Sequence, residues 1–414
     1  MRLQTEPHAS VYVARQPILD ATGRVFGYEL LYRAGADETA CNASGDLAAA
    51  RVFSDAMLSL GLDTLTGGRR AFVNVTRQVL LANLATLLPP SGVVVEILET
   101  VDIDAEVVSA CRQLRALGYT LALDDYVFKS PAEALIPYVD IVKVDMLSTS
   151  ADHHWRIAAT MPKRVKLVAE KVESMEAFQA ARKTGYHLFQ GYYFSKPTTF
   201  EARDVSGRRW AYVRLLAELN KPDATVLKIE DLIKHDAALS YRVLRCINSA
   251  AYGLRTTLNS IRQALVLLGL DQVRKWASVW ALAGLNAGSN SELVNLAIVR
   301  ARSCELIAET MAGHDNASEY FLLGLCSLLD SMLGRSMAEA LEELPVPDDV
   351  RAALLGDAGT PRTILDAILA YERGQWDDAA NALRLVRIDS HYLPLAYAEA
   401  LKWARELSQS ATAA

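Results

Sequence analysis

The seven residues 119-YTLALDD-125 decide how this chain is read. Tyr119, Leu121 and Leu123 alternate with smaller or polar partners in the two-residue period of a strand, and the run stops at two adjacent carboxylates, Asp124 and Asp125. Side by side, two such acids repel, and one takes a raised pKa unless a cation sits between them. The same grammar, an apolar strand ending on a polar or charged residue, recurs in AFVNV (71–75), VVVEILE (93–99), DIVKVD (140–145), VKLVAEKVE (165–173) and YHLFQGYYF (186–194). A single acid at a strand end is usually a solvated loop residue. A series of them on successive strands describes the rim of a site.

Upstream, VYVAR (11–15) and RVFGYELLYR (24–33) read as two more strands, with Pro17, Asp20 and Gly23 supplying turn chemistry between them. Helices are expected over 46–60, 77–88, 105–117 (closed by Gly118), 131–138 and 175–184 (closed by Gly185), and a helical linker carries His153 and His154. Strand and helix alternating over short connections mean parallel strands in βαβ units. About eight strands within roughly 200 residues fit an α/β barrel of the TIM type, which places functional groups at the C-terminal strand ends. A G-x-G-x-x-G phosphate loop is absent. The strand ends carry Glu29, Asn74, Glu96, Asp124, Asp125, Lys143, Asp145, Glu170 and Gln190.

From about residue 207 the pattern turns helical throughout. Ser260 and Gln263 form a capping box before 264–268, which Gly269 ends. Leu239, Val243, Cys246 and Ile247 share one helical face, and Val273, Ala277, Trp280 and Gly284 share another behind Asp271. Further helices are expected near 291–312, 318–333, 362–372, 376–386 and 393–408, with Pro345 and Pro347 breaking the chain between two of them. The reading is a barrel domain over 1–206 and an all-α domain over 207–414, joined near 203–208.

Bulk properties exclude several classes. Of 414 residues, 51% are hydrophobic and 22% charged, as in ordinary globular domains. The net charge of −6 and the lack of a basic, aromatic-interleaved stretch argue against nucleic acid as the main partner. No apolar run approaches the roughly 18–20 residues of a membrane span, and the N-terminus lacks the apolar core of a signal peptide. Cys41, Cys111, Cys246, Cys304 and Cys326 are odd in number and scattered, which favours a reducing, cytoplasmic setting.

The polar residues of the strand ends are mostly oxygen donors. Carboxylates with one amide oxygen suit Mg²⁺ or Mn²⁺ rather than zinc. Glu29, Asn74, Glu96 and Asp124 are the expected ligands, with Asp125 able to reach a second ion. Paired metals roughly 3.5–4 Å apart are a recurrent device for in-line phosphodiester hydrolysis. In that scheme Lys143 balances developing charge, Glu170 takes a proton, and Arg33, four residues after Glu29, forks a phosphate. A salt bridge from Lys143 to Asp145 or Asp125 is the competing structural role.

Seven motifs in order, QPILDATGRVFGYELLYR, FVNV, VVVEILE, LALDD, VKVD, LVAEKVE and FQGYYFSKP, resemble the EAL family of cyclic-di-GMP phosphodiesterases over about residues 10–200. The resemblance implies a modified TIM barrel that binds cyclic-di-GMP and linearises it with Mg²⁺ or Mn²⁺. By matching motifs, Glu29, Asn74, Glu96, Asp124 and Asp125 form the metal site, and Lys143 and Glu170 activate water. Arg33, Leu31, Gln190 and Glu173 contact the dinucleotide, and Glu99 steadies the loop after the acid pair. The signature tripeptide reads Glu29-Leu30-Leu31, and the family's DDFGTG reads Asp124-Asp125-Tyr126-Val127-Phe128-Lys129. That loop shapes the metal site and, in the family, part of a homodimer surface. The β-branched Val127 is expected to resist angles that glycine adopts.

The stretch beginning DAALSYRVLRCINSAAYGLR resembles the HDOD domain over roughly 208–400, a relative of the HD phosphohydrolases without their metal site. His235-Asp236 and His314-Asp315 read as cap and loop, and Ser327-Leu328 stand where those enzymes carry His-Asp. The resemblance implies a surface for a protein partner. Three functions fit these residues: hydrolysis of cyclic-di-GMP, its binding without turnover, and a barrel acting as scaffold.

Overall fold

A computed structural model of the chain describes residues 11–34, 61–148, 150–191, 291–311, 317–333, 335–342 and 346–412, with Leu344 and a few single positions between 225 and 279. The expected helix at 46–60, the joint at 203–208, the segments 239–247 and 260–268, positions 273, 277, 280 and 284, both His-Asp dipeptides and the end of the 186–194 stretch lie outside the described residues. The chain divides into two compact units, Met1–Phe194 with Tyr371–Trp376, and Ser195–Ala370 with Asp377–Ala414.

The first unit is a closed barrel in which each strand pairs with the next and the eighth returns to the first. The strands are β1 (Val11–Asp20), β2 (Val25–Ala34), β3 (Arg70–Val75), β4 (Val93–Ile97), β5 (Thr120–Leu123), β6 (Ile141–Asp145), β7 (Lys166–Glu170) and β8 (Leu188–Phe189). From β2 onward every neighbouring pair is parallel, but β1 runs antiparallel to both β2 and β8. The barrel is thus a TIM-type closure with its first strand reversed. Pro17, expected in a turn, lies inside the ten-residue β1. Proline is tolerated where the edge its nitrogen faces is unpaired, and β1 meets β8 only at Leu19 and Asp20.

One apolar layer fills the interior: Ile18, Phe72, Val94, Ala122, Ile141, Val168 and Leu188, all buried, with Phe26 packed against it. The β2 residue opposite Ile18 is Gly27. A Cβ at Gly27 would stand 2.8 Å from the Arg70 carbonyl oxygen and 2.9 Å from Cε2 of Phe72. The phenylalanine ring therefore fills the place that a β2 side chain would take. Because side chains alternate along a strand, the next inward-facing residues lie two positions away, and this parity builds the site.

Capped helices cover the barrel. Asp104 accepts from the Val107 N–H (2.9 Å) at the start of Ala105–Ala116, Ser150 caps Ala151–Thr160, and Ser174 caps Met175–Thr184, which ends at Gly185. The helix expected over 77–88 stops at Leu81, because Asn83 turns left-handed (φ 55°) and the chain resumes as a 3-10 turn, Leu84–Leu87. The 131–138 helix is likewise a 3-10 turn, Pro131–Leu135.

Beyond residue 290 the described residues form helices Ser291–Ala308, Ala317–Cys326, Leu329–Leu333, Met337–Glu342, Asp348–Leu355, Thr360–Glu372, Trp376–Leu385 and Tyr392–Thr412. The single helix expected over 318–333 breaks at Ser327, whose hydroxyl donates to the Gly324 carbonyl (2.7 Å). Two short helices beside the prolines, Met337–Glu342 and Asp348–Leu355, went unread in the sequence. Among the described residues no helix is long and apolar enough to cross a membrane. Cys111, Cys304 and Cys326 are buried and form no disulfide.

Candidate active site

Two residues above the apolar layer, every strand delivers one polar side chain to the barrel mouth. In β3 to β8 the step runs from Phe72 to Asn74, Val94 to Glu96, Ala122 to Asp124, Ile141 to Lys143, Val168 to Glu170 and Leu188 to Gln190. β2 steps from Gly27 to Glu29, and the reversed β1 steps backward from Ile18 to Gln16, which pairs with Glu29 in register. The sequence-derived residues Glu29, Asn74, Glu96, Asp124, Lys143, Glu170 and Gln190 thus share one layer. Gln16 completes it and was not among the expected residues.

The layer is held by Lys143, whose side chain is 1% exposed. Its Nζ lies 3.1 Å from Glu29 Oε2 and 2.9 Å from both Asp124 Oδ1 and Glu170 Oε1, and also contacts Glu96 Oε1. The salt bridge to Asp145 or Asp125 considered for this lysine is not the one formed. Asp145 instead pairs with Lys171 (2.5 Å) and accepts from the backbone N–H of Leu147 and Ser148. Asn74 Nδ2 donates to Glu29 Oε1 (3.3 Å), and Gln190 Nε2 donates to Glu29 Oε2 (2.7 Å) and Gln16 Oε1 (3.0 Å).

Burial and charge set the protonation preferences. Burial pushes the Glu96 carboxyl well up, against the pull of Lys143. Burial likewise lifts Glu170 to about 8, opposed by Lys143 and reinforced by Asp124 and Glu29. For Asp124 burial acts upward too, but Lys143 and its hydrogen bonds bring it below the usual carboxylate range. Lys143 shows the converse: burial disfavours its charge, yet Glu29, Glu96, Glu170 and Asp124 together hold it firmly protonated. Three adjacent acids are thus split by environment into protonated and ionised members.

The donor set fits a hard divalent cation. Carboxylate oxygens of Asp124, Asp125 and Glu170 converge within 4.8 Å of one another. The buried oxygens Asn74 Oδ1 and Glu170 Oε2 have no hydrogen-bond partner. Oxygens without donors are what Mg²⁺ or Mn²⁺ takes. The grouping adds Glu170, read from sequence as a base, to the candidate ligands.

Asp124 and Asp125 are placed by the backbone after β5, where the Asp124 N–H bonds the Ile97 carbonyl and the Tyr126 N–H the Lys143 carbonyl. In the altered loop that follows, left-handed angles fall on Asp125 (φ 39°) and Lys129 (φ 61°), not on Val127. The strain expected at valine is therefore carried by lysine. The Phe128 N–H donates to His153 Nε2 (3.1 Å) and the Lys129 N–H to Glu133 Oε1 (3.0 Å). Leu31 and Arg33 stand two and four residues beyond Glu29 on the same strand, so their side chains share its face. Glu99 and Glu173 are exposed on the loops after β4 and β7, outside the layer.

In the helical part, Ser327 accepts from Arg300 (3.3 Å), and Asp330 is driven up by burial. Among the described residues the one set of acids, histidines and cysteines grouped for a metal is that of the barrel.

The barrel closes with one reversed strand, and oxygen donors suited to a hard divalent cation gather at its mouth. The EAL domain family matches residues 2–197 and the HDOD domain family residues 210–343. The chain is 34% identical over 406 residues to the uncharacterized protein YuxH of Bacillus subtilis, covering 96% of this chain and 98% of that one. It is also 34% identical over 404 residues to the cyclic di-GMP phosphodiesterase CdgJ of Vibrio cholerae, covering 97% and 94% respectively. Among solved structures, an EAL domain protein from Listeria monocytogenes aligns at 23% identity over 45% of this chain and 87% of its own, with a TM-score of 0.36. The chain belongs to the family in which an EAL domain is followed by an HDOD domain.

Proposed function

We propose that the barrel binds cyclic-di-GMP over its polar layer and hydrolyses one phosphodiester bond to give the linear dinucleotide, with Mg²⁺ or Mn²⁺ as cofactor. The observation that carries this reading is the unbroken layer from Gln16 to Gln190, centred on Lys143 and rich in oxygen donors. Likeness to the Vibrio phosphodiesterase supports it. Glu29, Asn74, Glu96, Asp124, Asp125 and Glu170 would hold the metal, which when bound supplies charge neutralisation at the phosphate and an acidified water. Arg33 forks the phosphate, while Leu31, Glu173 and Gln190 contact the dinucleotide. Lys143 keeps positive charge beside the reacting oxygen, and Glu170, once the cation has displaced its own proton, would receive one from the attacking water.

One observation favours binding without turnover. The Val127–Lys129 loop carries its own pins, His153 and Glu133, in place of a glycine-rich turn. We assign residues 1–206 to the barrel domain and 207–414 to an HDOD output domain that meets a protein partner, in a cytoplasmic protein able to form homodimers. The test is chromatographic detection of the linear dinucleotide with Mn²⁺ present, wild type beside Glu29→Ala. Product from wild type alone supports hydrolysis, binding without product supports a receptor, and neither refutes both.

A further inference from the structure

A short segment distant in sequence is built into the barrel unit: Tyr371–Trp376. Tyr371 is fully buried, and its hydroxyl accepts from the Val13 N–H (3.0 Å) and donates to the Val13 carbonyl (3.3 Å) of β1. The Trp376 ring stands edge-on to Tyr371 (4.8 Å between centroids) and to Tyr12 (5.9 Å). Gly374, at φ 73°, comes so close to β2 that an added Cβ would lie 3.0 Å from Leu31 Cδ1. The Glu372 carbonyl accepts from Gln16 Nε2 (3.4 Å), Gln16 Oε1 accepts from Gln190, and Gln190 donates to Glu29.

These contacts fall on functional ground. β1 enters the barrel mouth with the end that Tyr371 grips, because it runs opposite to the other strands. From the adjoining Glu372 carbonyl a hydrogen-bonded line reaches the Glu29 carboxylate through Gln16 and Gln190. A second contact, Gly374 on Leu31, reaches the face assigned to the dinucleotide. A merely structural patch would grip the barrel's outer surface or its closed end; this one ends on residues of the polar layer.

We propose that Tyr371–Trp376 is a positioning segment of the site, fixing the Glu29 carboxylate through Gln16 and Gln190 and setting Leu31 through Gly374. The inference rests on the reading of the barrel as a metal and dinucleotide site. Tyr371→Phe removes the grip on β1, and Gln16→Leu removes the relay. A buried hydrogen bond lost from such a line weakens binding by about 3- to 10-fold. Mn²⁺ affinity of the full chain, measured calorimetrically, is expected to fall by that factor in each variant. In the double variant the fall should equal the larger single effect, since Tyr371 acts by fixing the strand that carries Gln16. Gly374→Ala leaves the line alone and is expected to weaken cyclic-di-GMP binding to the Mn²⁺-loaded chain while Mn²⁺ affinity holds. Single variants that bind Mn²⁺ within about twofold of wild type, or a double variant whose losses add, overturn the proposal. A wild type that binds neither probe overturns the functional reading beneath it instead.

Discussion

Replacing Lys143 by methionine keeps the stem and removes the charge from a layer of buried acids. Nζ contacts four carboxylates, three of them at 2.9–3.1 Å, from a side chain 1% exposed. Deleting one partner of a buried ion pair costs about 3–5 kcal/mol, and each kcal/mol moves Tm by roughly 2–4 °C in a domain of about 150–250 residues, so a fall of about 6–20 °C is expected. The loss depends on pH in a defined direction. Glu96 and Glu170 are held above their unfolded values by burial, Glu170 at about 8. Groups raised on folding stabilise while they keep their proton and lose that contribution as pH rises through the folded value. Lys143→Met is therefore least damaging in mild acid, where both acids stay neutral, and most damaging above the Glu170 value. The assay is thermal unfolding of the full chain in chelator, then with Mn²⁺ added. Mn²⁺ should raise Tm more in the variant than in wild type, because the variant's acids lack an internal cation. A fall under about 3 °C above that pH, against the range expected from pair breaking, or equal Mn²⁺ increments in both proteins, would refute the reasoning.

Three further outcomes follow from particular residues. Gly27→Ala forces a methyl to 2.8 Å from the Arg70 carbonyl and 2.9 Å from the Phe72 ring; overpacking of this kind costs about 1–3 kcal/mol, read as a shifted denaturant midpoint. Lys129→Gly relieves a left-handed φ of 61° and is expected to gain no more than about 1 kcal/mol, whereas Val127→Gly lowers stability by about 0.4–1 kcal/mol through the unfolded chain. Any turnover recovered by restoring Gly-Thr-Gly at 127–129 should accordingly be reproduced by Lys129→Gly and not by Val127→Gly. Mn²⁺ must displace the proton that burial keeps on Glu170 up to about 8; its affinity should rise up to about tenfold per pH unit below that value and level off above it, measured by calorimetry across pH.

The barrel and most of its site were legible because β3 to β8 obey one rule: an apolar inward residue, then a polar one two positions later at the C-terminal end. Gln16 escaped the rule for a geometric reason. β1 is reversed, so its layer residue precedes its apolar run instead of following it, and Pro17 beside it reads as a turn. Glu29 was found although its strand has no apolar residue one step below, since that place belongs to the Phe72 ring. The Lys143 cluster was out of reach of sequence, because alternation gives the inward face of a strand but not which inward groups touch. The same limit hid Tyr371–Trp376, which joins the barrel unit across more than 300 positions of chain, as the separation of Val13 and Tyr371 by 358 shows. Among the helices, Met337–Glu342 and Asp348–Leu355 were too short and too close to Pro345 and Pro347 to give a clear 3.6-residue period.

The most direct measurement is anomalous diffraction at the manganese edge from crystals of the full chain grown with Mn²⁺. The account predicts a manganese peak at the barrel mouth, bounded by oxygens of Glu29, Asn74, Glu96, Asp124, Asp125 or Glu170, with Lys143 Nζ drawn back from the carboxylates it now contacts. Density showing Lys143 still locked among those four acids, and no manganese beside them, would contradict it.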